Sequence, residues 1–137
     1  EVLDSRTGEA KSFSLKLSWF NEDSSEMIEP VKVKTRGHFR RMKENCVYPP
    51  LLIEFGKKDA KPAGIFKEQS KLKLVMPCRE EKYIIREWLV YKIYNLVTPK
   101  SFRARLVMVK LEDDSKRVNT SLYKLKFDIG KRRINVC

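Results

Sequence analysis

Residues 80–97 read EEKYIIREWLVYKIYNLV, and they form the one stretch of this chain with a strong helical pattern. Ile84, Trp88 and Tyr91 fall on one stripe of a helix, and a second apolar stripe adjoins it. The second stripe consists of Ile85, Leu89, Ile93 and Leu96. Glutamates open the segment, where they suit the positive end of a helix dipole, and Thr98-Pro99 closes it. The sequence therefore predicts a helix over about 80–97.

Segments with strand character lie on both sides of this helix. Alternating apolar and polar residues, which are typical of half-buried strands, mark residues 13–19, 72–76, 102–111 and 122–127. Two further strands are predicted from their boundaries: 31–35 follows Pro30, and 51–55 lies between Pro49-Pro50 and Gly56. Pro30 is expected to precede the second strand. Short polar or proline-containing connections favour hairpins. We therefore predict an α+β domain with a mostly antiparallel sheet of about five to six strands.

The predicted helix needs a surface on which to bury its apolar stripes, and the sheet offers one. We expect the helix to cover one sheet face as the main packing contact of the domain. The helix residues in this contact would be Ile84, Ile85, Trp88, Leu89 and Tyr91, and the sheet residues Leu15, Leu17, Val33, Ile53 and Leu74.

Length and charge limit the class of protein. With 137 residues, 42% of them hydrophobic, the chain is long enough for one globular domain spanning 1–137. Lys and Arg number 30 against 18 Asp and Glu, which leaves a net charge of +12. Such a surface attracts anions. No stretch approaches the about 20 uninterrupted apolar residues that a transmembrane helix needs.

The three cysteines fit no zinc signature, because none forms a C-x-x-C pair and His38 is the only histidine. Cys46 and Cys78 each border a proline-marked turn, and they could meet if their flanking strands are neighbours. The residues alone leave two interpretations open, a disulfide or two buried free thiols. Cys137 has no predicted partner.

Five stretches carry a resemblance to known proteins. They read RGHFRR at 36–41, CVYPPL at 46–51, KLKLV at 71–75, EWLVYKIYN at 87–95 and SFRARL at 101–106. Together they resemble the signature of a group of exported, mostly uncharacterised bacterial proteins, and the match covers roughly residues 31–111. That group is in turn similar to the spore-coat CotH-type atypical protein kinases.

The resemblance implies that this chain is the nucleotide-binding small lobe of a kinase-like fold. It implies an exported or cell-envelope protein, a bonded Cys46–Cys78 pair, and ATP with magnesium as ligands of the full-length protein, with no cofactor needed for folding. Such a lobe pairs a strand lysine with a carboxylate on the following helix. Lys73 and Glu87 have this order. The alternative is that both are solvated charges.

The Arg-Gly turn at 36–41 is the predicted phosphate-facing element. Gly37 would let the backbone approach an anion, and Arg36, Arg40 and Arg41 would bind phosphate oxygens through their guanidinium groups. His38 is a further possible donor. The alternative is a tight turn with solvated arginines.

Acidic residues that could hold magnesium are scarce, although phosphoryl transfer requires them. After Leu111 the acids are Glu112, Asp113, Asp114 and Asp128. We therefore expect the chain to be a fragment or one lobe of a longer protein, and to be inactive by itself.

A non-enzymatic basic module is the alternative function. It would bind a polyanion, which is either an acidic polysaccharide or a nucleic acid. Among partners of the chain, nucleic acid is the second choice after a nucleotide. Cationic pairs would share one strand face each: Lys32 with Lys34, Lys71 with Lys73, Arg103 with Arg105, and Lys124 with Lys126. Trp19, Phe39 or Tyr48 could stack on bases if exposed.

Overall fold

The computed structural model describes residues 2–21, 23–56, 66, 69–78 and 80–111. In chain order the elements are a 3-10 turn at Val2–Asp4, β1 at Phe13–Phe20, β2 at Glu26–Thr35, a 3-10 turn at Phe39–Arg41, β3 at Leu51–Glu54, β4 at Lys71–Leu74 and helix α1 at Glu81–Val97. The four strands form one antiparallel sheet in the order β1-β2-β3-β4. The predicted α+β class and the helix are confirmed.

One face of this sheet carries the core. Strand alternation directs Trp19, Val33, Ile53 and Leu72 to the same side, and each is at most 9% exposed. Val31, Leu51, Phe55, Phe66 and Met76 complete the buried cluster. The opposite face carries the polar partners of the alternation and remains exposed. The sheet therefore has one buried apolar face, called the dry face below, and one exposed basic face.

The prediction that α1 covers the dry face is wrong. None of its residues is buried, and Ile85 and Leu89 are 41% and 47% exposed. Trp88 is only half-buried. Large apolar side chains also occur outside the two predicted stripes, at Tyr83, Val90 and Tyr94. The apolar pattern therefore runs around much of the helix and does not single out one face for the sheet.

Other segments cover the core in place of the helix. Val2, Leu3 and Tyr48 pack against the buried cluster, and Phe66 and Met76 belong to it. The N-terminal segment is held there by Thr35, whose hydroxyl donates to the Ser5 carbonyl at 2.6 Å. Of the predicted sheet residues, Val33 and Ile53 are buried, Leu17 and Leu74 are half-buried, and Leu15 is 43% exposed.

The sheet has fewer strands than predicted. Residues 102–111 form no strand, although their residues alternate. Alternation supplies the side-chain pattern of a strand, but a strand also needs a neighbour with free backbone groups, and no described strand pairs with this segment. The predicted strand at 122–127 lies outside the described residues.

Pro30 lies inside β2, not before it as predicted. It pairs with Lys16 of β1, whereas β3 begins to pair with β2 only at Lys32. At Pro30 the strand therefore has a single neighbour, and a proline without an N–H is tolerated at such an open edge.

Candidate anion-binding site

The Arg-Gly turn leaves the sheet where β2 ends. Arg36 donates its backbone N–H to the Pro50 carbonyl at 2.9 Å. Gly37 has a φ of 79°, a left-handed conformation that favours glycine. Thr35 and Leu74 lie in one row across the sheet, both paired with Leu51. The turn therefore starts at the same end of the sheet as Lys73.

Arg41 is held by the N-terminal segment. Its guanidinium donates to the carbonyls of Ser5, Thr7 and Gly8 at 3.2, 3.2 and 2.7 Å. Three backbone acceptors on one side chain fix both the turn and the segment 5–8. This geometry favours a structural role for Arg41 over the predicted phosphate contact.

Arg40 points to the helix. Its Nη1 lies 3.0 Å from Oε2 of Glu87, and the two side chains are 43% and 31% exposed. Glu87, the predicted helix carboxylate, therefore does pair with a cation. That cation is Arg40 of the Arg-Gly turn and not the predicted Lys73. A guanidinium is a strong hydrogen-bond donor to a carboxylate, so the pair fixes how the turn approaches α1.

The predicted ion pair between Lys73 and Glu87 is not formed. The Nζ of Lys73 lies 5.2 Å from the centre of the Phe102 ring. That ring is 6.4 Å from the ring of Tyr91, which lies one turn after Glu87 on the same side of α1. Lys73 and Glu87 therefore flank one aromatic pair. We call Arg40, Glu87, Tyr91, Phe102 and Lys73 the Arg40–Lys73 cluster.

A disulfide braces this region. Cys46 and Cys78 are bonded, with Cα atoms 4.3 Å apart. Beside the bridge, Val47 donates its N–H to the Cys78 carbonyl at 2.9 Å. Arg6, which the sequence pattern did not single out, donates to the carbonyls of Cys46 and Val47. The bridge thus links the chain after the Arg-Gly turn to the residues that lead into α1.

His38 and the predicted stacking residues have unremarkable positions. His38 is exposed and precedes the 3-10 turn without capping it. Phe39 is 66% exposed and Tyr48 is half-buried, whereas Trp19 lies in the core. Trp19 is therefore no candidate for base stacking.

The exposed face of the sheet is basic. Its lysines are Lys16 on β1, Lys32 and Lys34 on β2, and Lys71 and Lys73 on β4. Two of the predicted cationic pairs therefore lie on strands as expected. Arg103 and Arg105 are not on a strand, and Lys124 and Lys126 lie outside the described residues.

Glu54 lies in the middle of this face. Its Oε1 is 3.1 Å from the Nζ of Lys71 and 3.5 Å from that of Lys34. The hydrogen bond from Lys71, together with the charges of both lysines, holds the pKa of Glu54 below its ordinary value, and partial burial opposes this shift. Glu54 therefore relieves the repulsion between β2 and β4.

Glu54→Gln should lower the free energy of unfolding at pH 7 by about 0.5–1 kcal/mol, because two lysines lose their shared carboxylate. The folded-state pKa is lower than the ordinary 4.5, so the stabilisation is complete above that pH and is lost as the pH falls through the folded-state value. Urea denaturation at pH 7 and at low pH measures it. Glu26→Gln is the charge-matched control on the same face. A Glu54 effect that persisted at low pH would contradict this pairing.

The described ranges contain no group of three His, Cys, Asp or Glu side chains that could hold a metal ion. Within these same ranges, no helix is long and apolar enough to cross a membrane. No protein-family model, curated protein or solved structure matches the chain.

Proposed function

We propose that this chain is the nucleotide-binding lobe of a kinase-like protein of the CotH type, in which the Arg40–Lys73 cluster receives the phosphates of ATP. The observation that supports the proposal is that Lys73 lies over the Phe102 ring of the Tyr91–Phe102 pair, while Glu87, one turn before Tyr91 on α1, binds Arg40 of the Arg-Gly turn.

The chemistry of the cluster suits a phosphate chain. Lys73 brings an ammonium group from β4, and Arg40 brings a guanidinium from the turn after β2. Both side chains reach solvent, and Arg36 starts at the same end of the sheet. Ammonium and guanidinium groups are the usual side-chain donors to phosphate oxygens. Two cations from separate elements would therefore donate to phosphate oxygens of one nucleotide.

Glu87 has a changed role in this proposal. In the usual arrangement the helix carboxylate holds the strand lysine. Here Glu87 holds Arg40 at 3.0 Å, so Arg40 becomes the phosphate ligand that the carboxylate orients, whereas Lys73 lies over the Phe102 ring. The proposal assigns phosphate binding to this chain; the acids that hold magnesium for phosphoryl transfer are not assigned to any described residue.

Lys73→Ala in the intact protein should weaken Mg·ATP binding by about tenfold or more, because a charge-assisted contact is lost. Lys16→Ala is the matched control, since it removes the same charge from β1 on the same sheet face. Isothermal titration calorimetry measures both. Equal losses in the two variants, or no loss in Lys73→Ala, would reject the nucleotide site.

A polyanion-binding module is the second candidate, and the lysine face of the sheet favours it. Lys16, Lys32, Lys34, Lys71 and Lys73 share this face, and Glu54 is the acid that pairs with two of them. An extended acidic chain would contact several of these lysines at once. Its binding should fall steeply with salt, because each neutralised charge releases counterions.

Export to the cell envelope or beyond is part of the same proposal. Disulfides persist mainly in oxidising compartments, and Cys46 and Cys78 are bonded here. Fractionation of cells that produce the protein tests this point directly. Recovery of the protein only in a reducing cytosol would reject it.

A further inference from the structure

An open cleft of about 350 Å³ lies between the C-terminal half of α1 and the segment that follows it. The residues that line it are Lys92, Asn95, Arg103, Ala104 and Arg105. Sites for small molecules typically have volumes of about 300–1,000 Å³, so the cleft is large enough for a small ligand. The residues of the Arg40–Lys73 cluster do not line the cleft, although two of them, Tyr91 and Phe102, hold the segment beside it.

The cleft has a defined wall. Asn95 donates its side-chain N–H to the Phe102 carbonyl at 3.0 Å and also to the Tyr91 carbonyl of its own helix. The rings of Tyr91 and Phe102 meet edge to face. These contacts hold the start of the segment 102–105 against α1. Arg103 and Arg105 are therefore presented to the cleft by an anchored backbone.

The charge of the cleft points to an anionic ligand. Three of its lining residues are cationic, and no acidic residue in the described ranges lines it. Lys92 lies over the Trp88 ring, with its Nζ 5.4 Å from the ring centre. Arg105 has no carboxylate within ion-pair distance among the described residues, and burial lowers the pKa of its guanidinium. Lys92 and Arg105 therefore place two positive charges at one cleft, where an anion is attracted to both.

We infer that this cleft is a second oxyanion site, which binds the phosphate group of a small-molecule ligand through Lys92 and Arg105. A guanidinium binds two phosphate oxygens with parallel N–H bonds, and an ammonium adds a point charge. Asn95 is a positioning residue, because its amide N–H groups already bind backbone carbonyls. The inference does not depend on the nucleotide site proposed above.

Titration of the ¹⁵N-labelled chain with inorganic pyrophosphate locates the site without any substitution. The expected amide shifts are concentrated at Asn95 and residues 103–105. Shifts spread evenly over the strand lysines, with none concentrated at the cleft, would overturn the inference.

Paired variants then test the two cations. Lys92→Gln combined with Arg105→Gln should weaken pyrophosphate binding by about tenfold or more for each cation removed. Lys11→Gln combined with Lys43→Gln removes the same charge away from the cleft and from the lysine face, and should change the affinity by less than about threefold. Equal effects in the two double variants would overturn the inference.

Discussion

Loss of the Cys46–Cys78 disulfide should lower the free energy of unfolding by about 3–4 kcal/mol. The bridge joins residues 32 apart in sequence, and a loop of that length restricts the unfolded chain by about this amount in the chain-entropy model. The double variant Cys46→Ala, Cys78→Ala removes the bond. Guanidinium chloride denaturation of this variant and of the oxidised protein measures the difference.

Reduction of the unsubstituted protein is the control for the two alanine substitutions, because it breaks the bond without changing side-chain volume at Cys46, which is 1% exposed. Reductant should move the unfolding midpoint of the unsubstituted protein and leave that of the double variant where it is. An unsubstituted protein that is insensitive to reductant would contradict the structural role of the bridge.

Trp19→Ala should cost about 3–5 kcal/mol of unfolding free energy, the usual range for removal of a buried aromatic side chain. Trp19 is 9% exposed and packs edge to face on Phe66, with ring centres 4.8 Å apart. Phe66 in turn packs on Phe55 at 5.3 Å. Removal of the indole would therefore leave a cavity beside Phe66, which contacts both of the other rings.

Trp88→Ala is the matched control, since it removes the same side chain from α1. It should cost about 1 kcal/mol or less, because Trp88 is only half-buried on a helix without buried residues. Urea denaturation followed by circular dichroism measures both variants. If Trp88→Ala lowered the free energy of unfolding more than Trp19→Ala, the helix would have to pack on the sheet core. That result would contradict the fold described above.

The strands before the helix could be predicted from two kinds of sequence signal. Residues 13–19 alternate between apolar and polar side chains, whereas residues 51–55, four of which are apolar, lie between Pro49-Pro50 and Gly56. The fourth strand was predicted to end at Met76, two residues after β4 ends, because Met76 is buried although it is not paired in the sheet. The apolar pattern of a sequence indicates which side chains are buried more directly than it indicates which backbone groups pair.

The position of α1 could not be predicted in the same way. Apolar residues lie on most of the circumference of α1, among them Tyr83, Leu89 and Ile93. Such a helix can pack against a neighbouring element with any of several faces, so the pattern does not select one. Its bounds were predictable from Pro99 and the acidic first turn, since these act locally. Its packing depends on which other segments cover the sheet, and the sequence pattern did not identify Val2 and Leu3 as residues that do so.

The sequence indicated which residues belong to the site, but not which of them contact one another. Arg40 and Glu87 both come from the sequence prediction, but they are 47 residues apart and their contact depends on the path of the Arg-Gly turn. The cleft could not be predicted, because Lys92 and Asn95 on α1 meet Arg105 only through the path of the segment after the helix. An asparagine near the C-terminal end of a helix was the available signal, since its side chain tends to bind backbone groups.

The salt dependence of Mg·ATP binding distinguishes a phosphate site at the Arg40–Lys73 cluster from the diffuse lysine face most directly. Calorimetry on the intact protein at low and at physiological salt, with and without excess inorganic polyphosphate, gives the comparison. A nucleotide site should retain magnesium-dependent ATP binding at the higher salt concentration, where polyphosphate binding has largely been lost. If salt weakens the binding of ATP and of polyphosphate in parallel, and polyphosphate displaces ATP regardless of magnesium, the result contradicts the proposal that the chain is a nucleotide-binding lobe.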